Sequence, residues 1–368
     1  MKILWLTNIP SPYRVKFFSE LGKYCELTVL FEKKMSAERD DSWGKFSINN
    51  FKAVFLRGKS IATAEAFCPS IVRFIKKEYD HIVVTNYSDP TGILAILALK
   101  AKKIPYEIEG DGAFPNNNSF LKSVVKKTLL SGAKIYFSTA KLHDEYYKLN
   151  GVKEDKIFRY PFSSVYEKEI LECCIDIGKK MELRNRLDMR EEIILLAVGQ
   201  FIPRKGFDIL LKSMNYLDKR YGIYIIGGVP NEEYKNLIPS EKKANIHFVS
   251  FKKPSELEKY YEAADIFVHP TREDIWGLVI NEAMAKGLPV VTTDRCIAGL
   301  EMVEDNVTGQ IVECENEKKL AEAIKNCKLG EKVSKHVLQT AREYSIEKMV
   351  YTHLQIWETQ TKEVAFEN

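Results

Sequence analysis

Short apolar runs alternate with amphipathic stretches along nearly the whole chain. In the first half, runs of four to seven mostly apolar residues predict strands over 2–8, 26–31, 53–56, 81–85, 106–109, 134–138 and 156–160. Apolar positions three or four apart predict helices over 13–21, 64–77, 91–100 and 120–131. A second alternation begins at Glu192, with strands expected over 193–199, 223–227, 246–251, 265–269, 289–292 and 310–312. The helix after the first of these carries Phe207, Leu210, Leu211, Met214 and Leu217 as one stripe. Strand–helix alternation of this kind implies an α/β chain with parallel, doubly wound sheets. Ligands in such sheets sit beyond the carboxyl ends of the strands.

With 368 residues the chain is long for one core, so two domains are expected, over 1–165 and 190–345. Residues 166–189, of mixed charge and little strand pattern, read as the connection between them. The segment 346–368 reads as a terminal helix whose stripe of Ile346, Met349, Val350, His353, Leu354 and Trp357 must dock on something. Met1-Lys2 leads straight into the first strand, which leaves no room for a signal peptide. The longest helical apolar run, 92–99, falls far short of the roughly 20 residues that cross a bilayer. Seven cysteines without a CxxC pair give no disulfide or zinc framework. A reduced, cytoplasmic setting is the expectation.

Charge is unevenly spread. Residues 1–165 hold 26 Lys+Arg against 17 Asp+Glu, and the remainder 29 against 34. A basic first half suits peripheral contact with anionic lipid or a lipid-linked phosphate, and suits a solvated surface equally well. Lys122, Lys126, Lys127 and Lys134, among apolar residues of 120–134, mark the candidate patch. No basic stripe with interleaved aromatics points to nucleic acid.

Four loops fall at strand ends. Residues 8–14, with Pro12 and Tyr13, follow the first strand, and residues 86–90 follow the fourth. Glu109-Gly110-Asp111-Gly112 follows the fifth. Acids separated by glycines allow a sugar or hydroxyl-bearing acceptor to approach closely, although turn chemistry alone also selects Asp-Gly. After Gly199, the turn 200–206 presents Arg204 and Lys205, whose forked and point charges could balance a diphosphate.

The densest chemistry lies in 264–293, ADIFVHPTREDIWGLVINEAMAKGLPVVTT, which reads as strand, acidic loop, helix, turn and strand. Asp274 precedes the helix and Glu282 sits in its second turn. Amides near Gly277 would be free at the helix start, a seat for phosphate or sugar oxygens. Glu282 stands among Leu278, Val279, Ala283, Met284 and Ala285. An acid there needs a partner, and a ribose diol can serve.

This segment resembles the signature of glycosyltransferase family 4, in which two acids lie eight positions apart around a helix start. Asp274 stands where the family usually has Glu. Trp276-Gly277-Leu278-Val279 and Asn281 to Ala285 match a sub-pattern of bacterial capsule and exopolysaccharide enzymes. Residues 8–14 resemble the prolyl loop of capsule-type members, and Gly199 to Gly206 the family's phosphate turn, with Gln200 where relatives often carry Arg. The resemblance implies a GT-B fold, two Rossmann-like domains facing across a cleft, with the terminal helix crossing back onto the first.

It further implies retaining transfer of a sugar from a nucleotide diphosphate, UDP foremost, to a lipid-linked saccharide or growing cell-surface polysaccharide. No metal and no cofactor are expected. The donor site would comprise Gly199, Arg204, Lys205, Trp276, Gly277, Leu278 and Glu282. Asp274 would orient the sugar, Asp111 would serve the sugar or acceptor, and Pro12, Tyr13 and Glu109 would line the acceptor side. His81 and His143 read as structural. Two other readings compete: a non-catalytic partner that keeps the fold, motivated by Asp274 and Gln200, and a nucleotide-sugar epimerase.

Overall fold

The computed structural model describes residues 1–34, 48–115 and 120–366, apart from the side chains of 120–122 and 361–366. The chain forms two compact units, Met1–Ser164 with Ser345–Asn368, and Val165–Tyr344.

The first unit runs β1 (Lys2–Thr7), α1 (Pro12–Leu21), β2 (Glu26–Phe31), β3 (Lys52–Phe55), β4 (Lys59–Ser60), β5 (Ala66–Phe67), β6 (His81–Val84), α2 (Pro90–Ala101), β7 (Glu107–Glu109), α3 (Phe120–Leu130), β8 (Ile135–Ser138), α4 (Lys141–Leu149) and β9 (Ile157–Arg159). Its sheet has the order β3-β2-β1-β6-β7-β8-β9, and every pairing is parallel. The strand order reverses between β1 and β6. The loops after these two strands, with those of neighbouring β7, are therefore the natural ligand positions.

The second unit contains α5 (Ile177–Arg186), β10 (Ile193–Val198), α6 (Phe207–Ser213), β11 (Tyr221–Ile226), α7 (Glu232–Asn236), β12 (Ile246–Val249), α8 (Pro254–Ala263), β13 (Ile266–His269), α9 (Leu278–Met284), β14 (Val290–Thr293), α10 (Ile297–Met302), β15 (Gly309–Val312), α11 (Glu317–Asn326) and α12 (Glu331–Glu343). Its parallel sheet has the order β12-β11-β10-β13-β14-β15. Here the reversal falls between β10 and β13. The loops that follow these strands carry the Arg204-Lys205 turn and the Asp274 segment. Strands buried on both faces explain the continuous apolar runs, such as Ile194 to Ala197 and Ile266 to Val268.

The last helix, α13 (Ile346–Phe366), belongs to the first unit. Trp357 donates its indole N–H to Glu107 Oε2 at 2.7 Å, and His81 Nδ1 lies 2.6 Å from the other oxygen of that carboxylate. His353 stacks on Phe137 with ring centroids 4.4 Å apart. The amphipathic stripe of this helix thus covers the sheet through aromatic contacts and a hydrogen bond to a buried acid.

Two expected elements differ. Residues 64–77 are not a helix: β4 and β5 form an antiparallel hairpin, followed by a 3₁₀ turn over Pro69–Arg73. Pro69 drives Cys68 out of the helical region, to φ −119° and ψ 81°, so the periodic apolar residues reach the core from irregular backbone. Residues 166–189 fold into the second unit instead of linking two domains. There α5 is pinned by Arg184, which donates to the Ala263 carbonyl at 2.9 Å and pairs with Asp265. Those partners lie about 80 residues away in sequence, which is why local charge reads as a linker. The buried face of α4 includes His143, Tyr146 and Tyr147, more polar than the usual stripe, so apolar periodicity does not reveal this helix.

Candidate functional site

The second unit builds its site on the β10–α6 turn. After Gly199, Pro203–Lys205 makes one 3₁₀ turn, and Gly206 closes it at φ 69°, ψ 19°. A Cβ on Gly206 would run into the Pro270 carbonyl oxygen, so only glycine lets this turn lie against the β13 loop. The contact is fastened from the other side. Arg272 donates its backbone N–H to the Arg204 carbonyl at 2.8 Å, and its guanidinium bonds the Pro203 carbonyl at 2.5 Å and Asp208 bidentately at 2.8 Å.

Held this way, Lys205 Nζ donates to Asp274 Oδ2 at 2.7 Å. His269, the last residue of β13, places Nε2 3.1 Å from the same oxygen. Arg204 bonds the Glu273 carbonyl and lies 3.7 Å from Asp274 Oδ1. Burial disfavours charge on Asp274, but the His269 hydrogen bond and Lys205 outweigh it and hold the carboxyl well below the usual carboxylate range. Burial pushes His269 down, so the neutral ring donates from Nε2 while Nδ1 has no hydrogen-bond partner. Asp274 is thus an anion with one oxygen committed and the other facing Arg204.

Around it, Gly277 (φ 102°) caps α9 where a Cβ would meet Cys296 Sγ. Leu278 is half-buried at the start of the helix. Glu282 accepts a hydrogen bond from Tyr261 at 3.0 Å, which supplies a protein partner for an acid in an apolar setting. Trp276 is a correction. It is only 2% exposed and donates its indole N–H to Asn281 Oδ1 at 2.8 Å, so it shapes the loop from within and offers no face to a ligand.

The first unit holds a second constellation. Pro12 starts α1 and turns the chain so that Tyr13 and Arg14 reach the Glu109–Asp111 turn. Arg14, 1% exposed, gives Nη1 to both Glu109 oxygens at 2.9 and 2.7 Å and Nη2 to Asp111 Oδ1. Tyr13 donates its hydroxyl to Asp111 Oδ2 at 2.5 Å. Glu109, expected to line the acceptor side, is fully enclosed: Tyr160 and Thr85 bond it as well, at 2.8 and 3.3 Å. It anchors Arg14 and cannot touch a ligand where it stands. Burial raises its pKa against the opposing pull of Arg14. Asp111 keeps an exposed edge, with 29% of its side chain accessible.

His81 bonds Glu107, and His143 is buried beneath Gly110 with burial pushing its pKa down to about 3. On α3, Val124, Val125 and Lys127 are exposed, Lys126 lies over the Tyr146 ring, and the Lys122 side chain lies outside the described residues. No described helix is long and apolar enough to cross a membrane. Arg14, His269 and Arg272 are site residues that the pattern did not single out. Arg14 had a signal: it shares a helix face with Phe17 and Phe18, and a charge on an apolar face needs a buried partner.

The two sheets and their strand orders define a GT-B fold. A glycosyltransferase from Rickettsia africae superposes with a TM-score of 0.74 at 18% identity, over 97% of this chain and 98% of that one. HepE from Anabaena, solved in complex with UDP, gives a TM-score of 0.73 at 16% identity, over 98% and 100%. Residues 179–344 match the family model "Glycosyl transferases group 1".

Among curated proteins, an uncharacterized glycosyltransferase of Haemophilus influenzae is 30% identical over 45% of this chain and 49% of its own length. The N,N'-diacetylbacillosaminyl-diphospho-undecaprenol alpha-1,3-N-acetylgalactosaminyltransferase of Campylobacter jejuni is 23% identical over 76% of this chain and 78% of its own. A 41.2 kDa protein of the Klebsiella pneumoniae cps region is 31% identical, with 36% of each chain covered. The chain thus spans half or less of two of these three relatives. Together the similarities show the fold and, over the second unit, a likeness to glycosyltransferase sequences.

Proposed function

We propose that the protein transfers a sugar from a nucleotide-diphosphate donor, a UDP-sugar foremost, to a lipid-linked or growing cell-surface saccharide, with retention at the anomeric carbon. The observation that carries this reading is the convergence of Lys205 and Arg204 on Asp274 at the reversal point of the second sheet. Two cations beside one oriented carboxylate suit a diphosphate and a sugar hydroxyl side by side. Lys205 has donors to spare beyond its bond to Asp274. Asp274 Oδ1 would take the sugar hydroxyl, and Glu282 the ribose diol.

In this reaction the bond from the anomeric carbon to the β-phosphate oxygen breaks as the acceptor oxygen bonds the same face. Charge accumulates on the leaving diphosphate, and Lys205, Arg204 and the backbone near Gly277 stabilise it. The acceptor's proton passes to the departing phosphate oxygen, so no protein nucleophile is required. Asp111 receives a hydroxyl of the sugar or acceptor. That HepE was solved with UDP, and that the Campylobacter relative's name describes an undecaprenol-linked acceptor, support both halves of the assignment. No resident metal or cofactor is assigned. Activity at a cytoplasmic membrane face, with α3 touching lipid, fits such an acceptor.

Thermal-shift screening against UDP, GDP, ADP, CMP and their sugars tests the donor site. A ligand at 100 times its dissociation constant stabilises the fold by about 2.7 kcal/mol. Lys205→Ala and Glu282→Ala should each abolish the nucleotide-induced shift, whatever they do to the unliganded midpoint. A shift without turnover favours the non-catalytic partner motivated by Gln200. Donor isomerisation without transfer identifies an epimerase.

A further inference from the structure

Asp111 is the exposed end of a buried chain of donors and acceptors that begins in the core of the first unit. Glu109 accepts from Tyr160 and Thr85, and Thr85 is itself fixed by the indole N–H of Trp5 at 2.8 Å. Both Glu109 oxygens then meet one nitrogen of Arg14. A guanidinium is planar, so fixing Nη1 fixes where Nη2 points, and it points at Asp111 Oδ1. The rings of Tyr13 and Phe162, with centroids 5.6 and 5.7 Å from the Arg14 guanidinium carbon, keep it from swinging. Tyr13 is braced edge-on against Phe162 and takes Asp111 Oδ2.

Each carboxylate oxygen has two lone pairs. Tyr13 and Arg14 occupy one on each oxygen, which leaves one on each, on a side chain that is 29% accessible.

We propose that Tyr13 and Arg14 are positioning residues that orient Asp111, so that its free lone pairs form a fixed two-point acceptor for the hydroxyls of a saccharide. This rests on the transferase reading above. It also changes the part given to Tyr13, whose hydroxyl proton goes to Asp111 and not to the acceptor. A carboxylate held on both oxygens selects hydroxyl pairs by geometry, which a freely rotating one does not.

The test is a substitution cycle on Tyr13→Phe and Asp111→Asn, read as UDP, GDP or ADP release from the donor sugars of the screen. Tyr13→Phe keeps the ring against Phe162 and removes one hydrogen bond. The expected result is a fall in kcat of about tenfold with donor KM within about twofold of wild type. Added to Asp111→Asn, the same substitution should change kcat by less than about twofold, because its effect passes through Asp111. Arg14→Lys, which keeps the charge but loses the fork, should cost about as much as Asp111→Asn while the nucleotide-induced thermal shift persists.

Wild-type kcat in Tyr13→Phe overturns the proposal. So does an undiminished Tyr13→Phe effect in the Asp111→Asn background, which would mean that Tyr13 meets the substrate itself. Full activity of Asp111→Asn removes the role of Asp111 and leaves the transferase reading standing. Absence of turnover by wild type with every donor defeats that reading, and the proposal with it.

Discussion

Single residues carry the electrostatics, and one pair outside the candidate site shows how far burial can act. Glu32 follows β2 and is 3% exposed; it accepts from the Ala66 N–H at 3.1 Å. Asp89 caps α2 by accepting from Gly92 at 2.6 Å. Burial, and then the nearby Asp89 carboxyl, push Glu32 up from 4.5 to about 9. The folded protein therefore keeps a proton that the unfolded chain releases above pH 4.5, and stability is lost as pH rises from about 4.5 to about 9. Glu32→Gln supplies a neutral donor to Asp89. Its thermal midpoint should vary less between pH 5 and 9 than the wild type's and exceed it at about pH 8, measured by calorimetry. An identical pH profile in the two proteins would refute the retained proton on Glu32.

At this scale the sequence was legible where partners are local. Asp274 and Glu282 stand eight positions apart on one loop and helix, and Arg204-Lys205 form one turn. Arg14 and Glu109 were opaque as a pair because 95 residues separate them, and Trp276 misled because its exposure depends on the fold of its own loop. Parallel topology alone brings strand ends so far apart in sequence to one edge.

Elements place those residues. The Pro203–Lys205 turn holds its two cations in register only because Gly206 adopts a left-handed conformation under the Pro270 carbonyl and Arg272 grips the turn from outside. Gly206→Ala should cost about 2 kcal/mol or more in urea unfolding and reduce the nucleotide-induced shift, since the turn must move to admit a methyl group. Wild-type stability in this variant would show that the turn yields easily and that the glycine is incidental. Strand positions in the two parallel sheets were readable to within a residue or two, because runs buried on both faces leave little ambiguity, whereas the short β4–β5 hairpin was not. The helix expected over 64–77 failed at Pro69, where backbone stereochemistry overrides apolar periodicity.

Across the whole molecule, two units of similar architecture divide the chain almost evenly, and the first is discontinuous in sequence because α13 completes it. Trp357 is 1% exposed and bonded to a buried carboxylate. Trp357→Ala should destabilise the first unit by about 3–5 kcal/mol, the cavity adding to the lost hydrogen bond at Glu107 Oε2. Hydrogen exchange should then show lost protection in β1, β7 and β8, with β10 to β14 unchanged. Loss of protection spread evenly over both sheets would contradict this partition.

The position of α13 also bears on synthesis. Domains generally fold as units while the chain emerges from the ribosome. The second unit, ending at Tyr344, can close while the first still lacks its covering helix. Until residues 345–368 leave the exit tunnel, the aromatic face formed by Trp5, Phe17 and Phe137 stays open to water and to chaperones. The first unit is made first and finished last.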